Sequence, residues 1–158
     1  MDLNDWILSL HVLSAFALVG AMVIFWSMIV ALWGTDSTSR VASLMRVSQI
    51  GTVLVSVGSL GTIIFGVWLA ISLDAYQVWD GWVIAAIVLW AVAVELGRRA
   101  GKLYGGAGME AERLSAAGTE TSPVVAETFG ASRAVQFHAA SSLLVLLILI
   151  DMIWKPGA

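Results

Sequence analysis

The sequence predicts an all-α, polytopic membrane protein: a bundle of four transmembrane helices. Three observations point there. The chain is 59% hydrophobic and only 12% charged, about half the charged fraction usual for a soluble domain. Its mean hydropathy is +0.92. The apolar residues are gathered into four blocks rather than scattered, and a spanning helix needs ~20 mostly apolar residues.

The first block runs from Trp6 to Trp33, the second from about Ile50 to Leu73, the third from about Trp82 to Gly97 and the fourth from about Ala134 to Trp154. Together they form one membrane domain over residues 1–158. The opening "MDLNDW" carries two acids and no base, and the apolar run after it is too long for a signal peptide. Ser37 to Arg46 can lead helically into the second span. Residues 98–133, rich in Gly, Ala, Ser and Thr, read as a flexible loop with one helical turn near Met109–Ala116; the alternative is an arm that docks a partner. Ser122 before Pro123 has the form of an N-cap and first helical residue, so the fourth span can begin as a helix outside the bilayer.

Orientation follows from lysine and arginine in short loops. Arg40 and Arg46 lie between the first two spans. Arg98, Arg99, Lys102, Arg113 and Arg133 lie between the last two. Of the eight basic residues only Lys155 falls on the other side, with Asp2, Asp5, Asp74 and Asp80. Loops 34–47 and 98–133 are therefore expected in the cytoplasm and both termini outside. Trp6, Trp82 and Trp154 fall where spans meet the outer interface.

The chain has no cysteine, which excludes disulfides, thiol chemistry and cysteine-ligated metal. No basic stripe suits nucleic acid. No phosphate loop, nucleophile motif or metal-ligand spacing is present, so nothing in the motifs assigns a catalytic residue.

Two features remain. Gly58, Thr62, Gly66 and Ala70 form a ladder of small residues that lets a helix approach closely. It serves either packing within the bundle, against Ser14, Ala17 and Ala21 of the first span, or a homodimer seam. Second, four ionisable residues interrupt the apolar blocks: His11, Glu95, His138 and Asp151. Each is by default a functional candidate. Counting at 1.5 Å per residue puts His11 ~7 Å and Asp151 ~5 Å below the outer surface. Glu95 and His138 lie near the inner one. Two pairs at equal depth follow, His11 with Asp151 and Glu95 with His138. Two histidines also raise haem. One shared haem fails, because the two rings sit roughly 15 Å apart along the bundle. Separate His/Met ligation, with Met152 at the depth of His11 and Met28 near that of His138, is the remaining haem arrangement. The leading expectation is a non-enzymatic membrane subunit or accessory bundle acting through a membrane-protein partner or a second copy. The alternatives are a haem b protein with His11 as ligand and a small-solute or proton transporter.

"LHVLSAFALVG", "GVWLAIS", "DGWVIAAIVLWAVAVELG" and "LLVLLILIDMIWKPG" together resemble a bacterial family of integral-membrane proteins of unknown function with four spans, an early Leu-His and a terminal Lys-Pro-Gly. Leu18 stands where that family often has tryptophan. The resemblance implies a bacterial inner (plasma) membrane. More distantly, the early histidine and terminal Lys-Pro are similar to the four-helix membrane protoporphyrinogen oxidase and to copper-resistance D membrane domains. That likeness implies a haem or metal ligand at His11 and a terminal contact at Lys155. The oxidase's aromatic–arginine and acidic–proline cluster around the last helix is absent, so its activity is not implied.

Overall fold

The computed structural model describes residues 2–73 and 77–156. Asp74, grouped above with the outer acids, and Gly157 lie outside them. Among the described residues the fold has five helices: α1 (Leu3–Ala31), α2 (Thr38–Ser72), α3 (Gly81–Ala116), the short α4 (Pro123–Thr128) and α5 (Arg133–Trp154). No strand occurs among the described residues, only an isolated bridge between Ser37 and Thr121. Four helices are long and apolar enough to cross a membrane. At 1.5 Å per residue the shortest, the 22-residue α5, spans ~33 Å and so clears a ~30 Å hydrocarbon core.

Helix ends follow local chemistry. Asp2 caps α1 and exchanges hydrogen bonds with Asp5, a capping box. Ser37 and Ser132 cap α2 and α5 through their hydroxyls. Ser122 occupies the N-cap position of α4 but its side chain makes no cap bond; its N–H instead donates to the Asp36 carbonyl at 2.9 Å.

The principal departure from expectation is α3. Residues 98–116 continue the third span as helix for another five turns. The Gly- and Ala-rich composition suggested a linker, yet alanine is the best helix former. Tyr104, Ala107 and Ala111 bury one face of the extension against Val125, Phe129, Val41, Leu32 and Ile29. The helix stops at Gly118, whose φ of +77° only glycine adopts without strain. There Thr119 N–H reaches Leu114 O and Gly118 N–H reaches Ser115 O, a Schellman closure. A helix does start at Pro123 with Ser122 in the N-cap position, but α4 ends at Thr128 and α5 starts separately at Arg133.

Two antiparallel helix pairs compose the bundle. α1 packs along α2 and α3 along α5; α2 meets α3 over a shorter seam, and α1 hardly approaches α5 by backbone. At the loop end, the α1–α2 and α3–α4 connections are tied together. Thr38, fully buried, donates from its hydroxyl to Thr119 O at 2.6 Å, and its N–H donates to Glu120 O at 3.0 Å. This end carries the largest buried cluster. Seven of the eight basic residues sit at or near it, because α2, α3 and α5 each begin or end there.

Candidate functional site

His11 lies on the buried stripe of α1, with Ile7, Ser14, Leu18 and Ala21 one to three turns away. That stripe faces α2. His11 Nδ1 donates to the Thr62 carbonyl at 3.0 Å; a carbonyl only accepts, so the proton sits on Nδ1. Gly66 makes room for the ring: a Cβ there would lie 2.9 Å from His11 Cε1. Two helical turns back along α2, a Cβ on Gly58 would meet Leu18 N at 2.6 Å and Ser14 O at 2.8 Å. Gly58, Thr62 and Gly66 of the small-residue ladder thus face α1 of the same chain, whereas Ala70 packs with Trp82 and Val83 of α3. Ser14 bonds back to Leu10 O at 2.7 Å, and Thr62 Oγ1 to Gly58 O at 2.7 Å, so the polar atoms of this seam are satisfied within it.

The equal-depth pairs do not form. His11 is bound to α2, whereas the buried stripe of α5 (Ala134, His138, Ser141, Val145, Ile148) meets α3 through Ser141 and α1 through His138. Asp151 is partly exposed, and its Oδ2 is buried with no hydrogen-bond partner. Glu95 binds Arg98 at 2.8 Å and Arg99 at 2.7 Å on its own helix, with 41% of its side chain exposed. His138 is instead enclosed by aromatic edges, 5.0 Å from the Trp26 ring and 6.0 Å from Phe25. Its Nε2 is buried with no hydrogen-bond partner. Equal depth along a bundle does not put two residues on the same seam.

Two tryptophan–serine contacts escaped the sequence reading. Trp26 Nε1 donates to Ser142 Oγ at 3.0 Å, joining α1 to α5, and Trp90 Nε1 donates to Ser59 Oγ at 3.0 Å, joining α3 to α2. They cross the two seams with fewer backbone contacts. The close seams use small residues instead, as where Ser141 Oγ donates to Ala93 O at 2.9 Å. A lone Trp or Ser in an apolar run gives no sequence signal of its partner.

The haem arrangements can be tested against these positions. His138 packs on Phe25 and Trp26, some 14 residues beyond His11 along α1, so ~21 Å separates the two rings along the bundle. His138 Nε2 is covered by its neighbours, so that nitrogen offers no open position to a haem iron. Met152 packs beside Ala70, Trp82 and Val83, so it joins that cluster, and Met28 is buried in the loop-end cluster. His11 alone has a ligand's donor arrangement, since a ring that donates from Nδ1 to a carbonyl keeps its lone pair on Nε2. No group of three or more His, Cys, Asp or Glu residues gathers among the described residues.

Between the two ends, Leu18, Ala93 and Val145 form a buried apolar cluster with Met22, Val55 and Leu144 around it. A polar path from His11 to His138 is therefore interrupted by apolar side chains. One cavity of about 270 Å³ opens between α2 and α3 near the loop end. No family model, curated protein or solved structure matches the chain.

Proposed function

We propose that the chain is a non-enzymatic integral membrane bundle, an accessory subunit that acts through its outer surface on membrane-protein partners. One observation carries the reading: the four intramembrane ionisable residues are dispersed. His11 ties α1 to α2, His138 sits among aromatic rings, Glu95 binds arginines of its own helix, and Asp151 lies at the far end of α5. A reaction centre needs convergent groups; dispersed ones serve folding. The gathering of seven basic residues at the loop end supports a cytoplasmic position for that end.

Photo-crosslinking in intact membranes tests the reading. A photoreactive residue replaces Phe16, Val30 or Leu143 in turn, side chains that are 70%, 70% and 57% exposed. The expected result is a discrete protein adduct at one helix face. Lipid adducts alone, at every position around the bundle, would refute it.

A second reading rests on the His11 tautomer: its Nε2 lone pair suits a haem iron or another metal. Bound there, haem would supply redox chemistry. The ring's own contribution is orientation by Thr62 O. A Soret absorption band in protein from haem-replete cells, lost in His11→Ala, would establish it, and colourless protein would end it.

A further inference from the structure

We infer that the cavity between α2 and α3 seats one ester-linked membrane phospholipid, with the Tyr104 hydroxyl donating to an ester carbonyl and Glu112 beside a headgroup ammonium. This is independent of the accessory reading; a lipid can occupy the gap whether or not a protein binds elsewhere.

Two observations with different origins converge on this gap. The first is an unexplained run of glycines. Gly101, Gly105, Gly106 and Gly108 fall within eight residues of an uninterrupted helix, and glycine is a poor helix former. Close packing explains only Gly108, where a Cβ would meet Met45 at 2.9 Å; at Gly101, Gly105 and Gly106 it would meet nothing within 4 Å. Gly101 and Gly105 line the cavity, and their missing side chains are what leaves it open.

The second is Tyr104. It is 7% exposed, it lines the same cavity, and its hydroxyl is buried without a hydrogen-bond partner. Burying a hydroxyl unpaired is unfavourable, and an acceptor admitted to it from the cavity by a shift of the adaptable Met28 and Met45 side chains would remove the penalty. Phe129 stacks on its ring at 5.3 Å, so the phenol is held in place from behind.

Position and lining select the occupant. The cavity begins at Gly101, three residues past Arg98, where the apolar part of α3 gives way to the Glu95–Arg98–Arg99 ion pairs. That is the level of a bilayer's polar layer. Phe25, Met28 and Met45 supply apolar, adaptable walls. Glu112, two turns beyond Tyr104, is the sole charged side chain lining the cavity, and it is acidic; an ammonium headgroup suits it and an anionic one does not. A volume of about 270 Å³ is too small for a partner helix ~10 Å across and large enough for a lipid's glycerol-ester region.

Native mass spectrometry of the full chain, with phosphatidylethanolamine and phosphatidylglycerol supplied as probes, tests this. The parent is expected to retain one phosphatidylethanolamine through delipidation. Tyr104→Phe, which removes one oxygen, should weaken retention about five-fold, the loss of one hydrogen bond. Gly105→Leu should abolish it. Gly106→Ala, outside the cavity, should retain lipid as the parent does. Glu112→Gln should erase the preference over phosphatidylglycerol. No lipid retained by the parent, a parental preference for phosphatidylglycerol, or Tyr104→Phe retaining lipid as well as the parent would each overturn the proposal. The last of these does not depend on whether Gly105→Leu folds.

Discussion

Gly58→Ala offers the most exacting trial of the α1–α2 seam. An added Cβ would stand 2.6 Å from Leu18 N, 2.8 Å from Ser14 O and 3.0 Å from Leu18 Cα. All three are backbone atoms, so no rotamer change relieves the overlap. Ordinary contact begins near 3.4 Å; relief requires α1 to retreat by about 0.8 Å, the difference between 3.4 and 2.6. Overpacking of this kind costs about 1–3 kcal/mol. Alanine's helix propensity returns about 1 kcal/mol. The net expectation is destabilisation of up to about 2 kcal/mol by these two estimates. Gly20→Ala is the control. Gly20 lies in α1, a Cβ there meets nothing within 4 Å, and the propensity gain of up to about 1 kcal/mol should appear unopposed. Reversible unfolding in mixed micelles, followed by tryptophan fluorescence, measures both. Opposite signs are expected. A Gly58→Ala protein as stable as Gly20→Ala would refute the close approach of the two backbones.

Three further outcomes follow from named contacts. His11→Ala removes the bond to Thr62 O and leaves a void beside Gly66; a loss of about 1–3 kcal/mol is expected in the same unfolding assay, and an unchanged midpoint would mean the ring pins nothing. Thr38→Val keeps the shape but strips the hydroxyl that reaches Thr119 O. It should destabilise by about 1–2 kcal/mol and speed protease cleavage within residues 117–122, whereas parental cleavage kinetics would show the tie to be idle. A membrane-impermeant thiol label at Thr119→Cys, in a chain that has no other cysteine, should react only from the cytoplasmic side. Labelling of intact cells from outside would reverse the orientation.

Hydropathy alone made the four spans legible, because length and apolarity are local properties of the sequence. Which helix faces which was not. The i, i+3, i+7 stripe carrying His11, Ser14 and Leu18 marks a buried face, yet nothing in it says that α2 rather than α5 covers that face. The glycine ladder held the missing information: Gly66 is the residue that admits an imidazole. Glu95 illustrates the reverse. Its partners Arg98 and Arg99 stand three and four residues on, the spacing of helical ion pairs, and that local signal outweighs any pairing argued from depth. The long extension of α3 was hidden because alanine and glycine together resemble a linker, while the burial of Tyr104 and Ala111 depends on α4, a tertiary partner. Tyr104 itself gave no sign of its unpaired hydroxyl, since a lone tyrosine beyond a span ordinarily anchors to the interface.

The most direct measurement is the intact mass of the particle excised from its native membrane in a polymer-bounded lipid disc. If the dispersed polar residues serve folding and the outer surface serves partners, the chain should emerge in a protein assembly of fixed stoichiometry, with no haem mass on it. The chain emerging alone, or carrying one haem that His11→Ala removes, would contradict that conclusion.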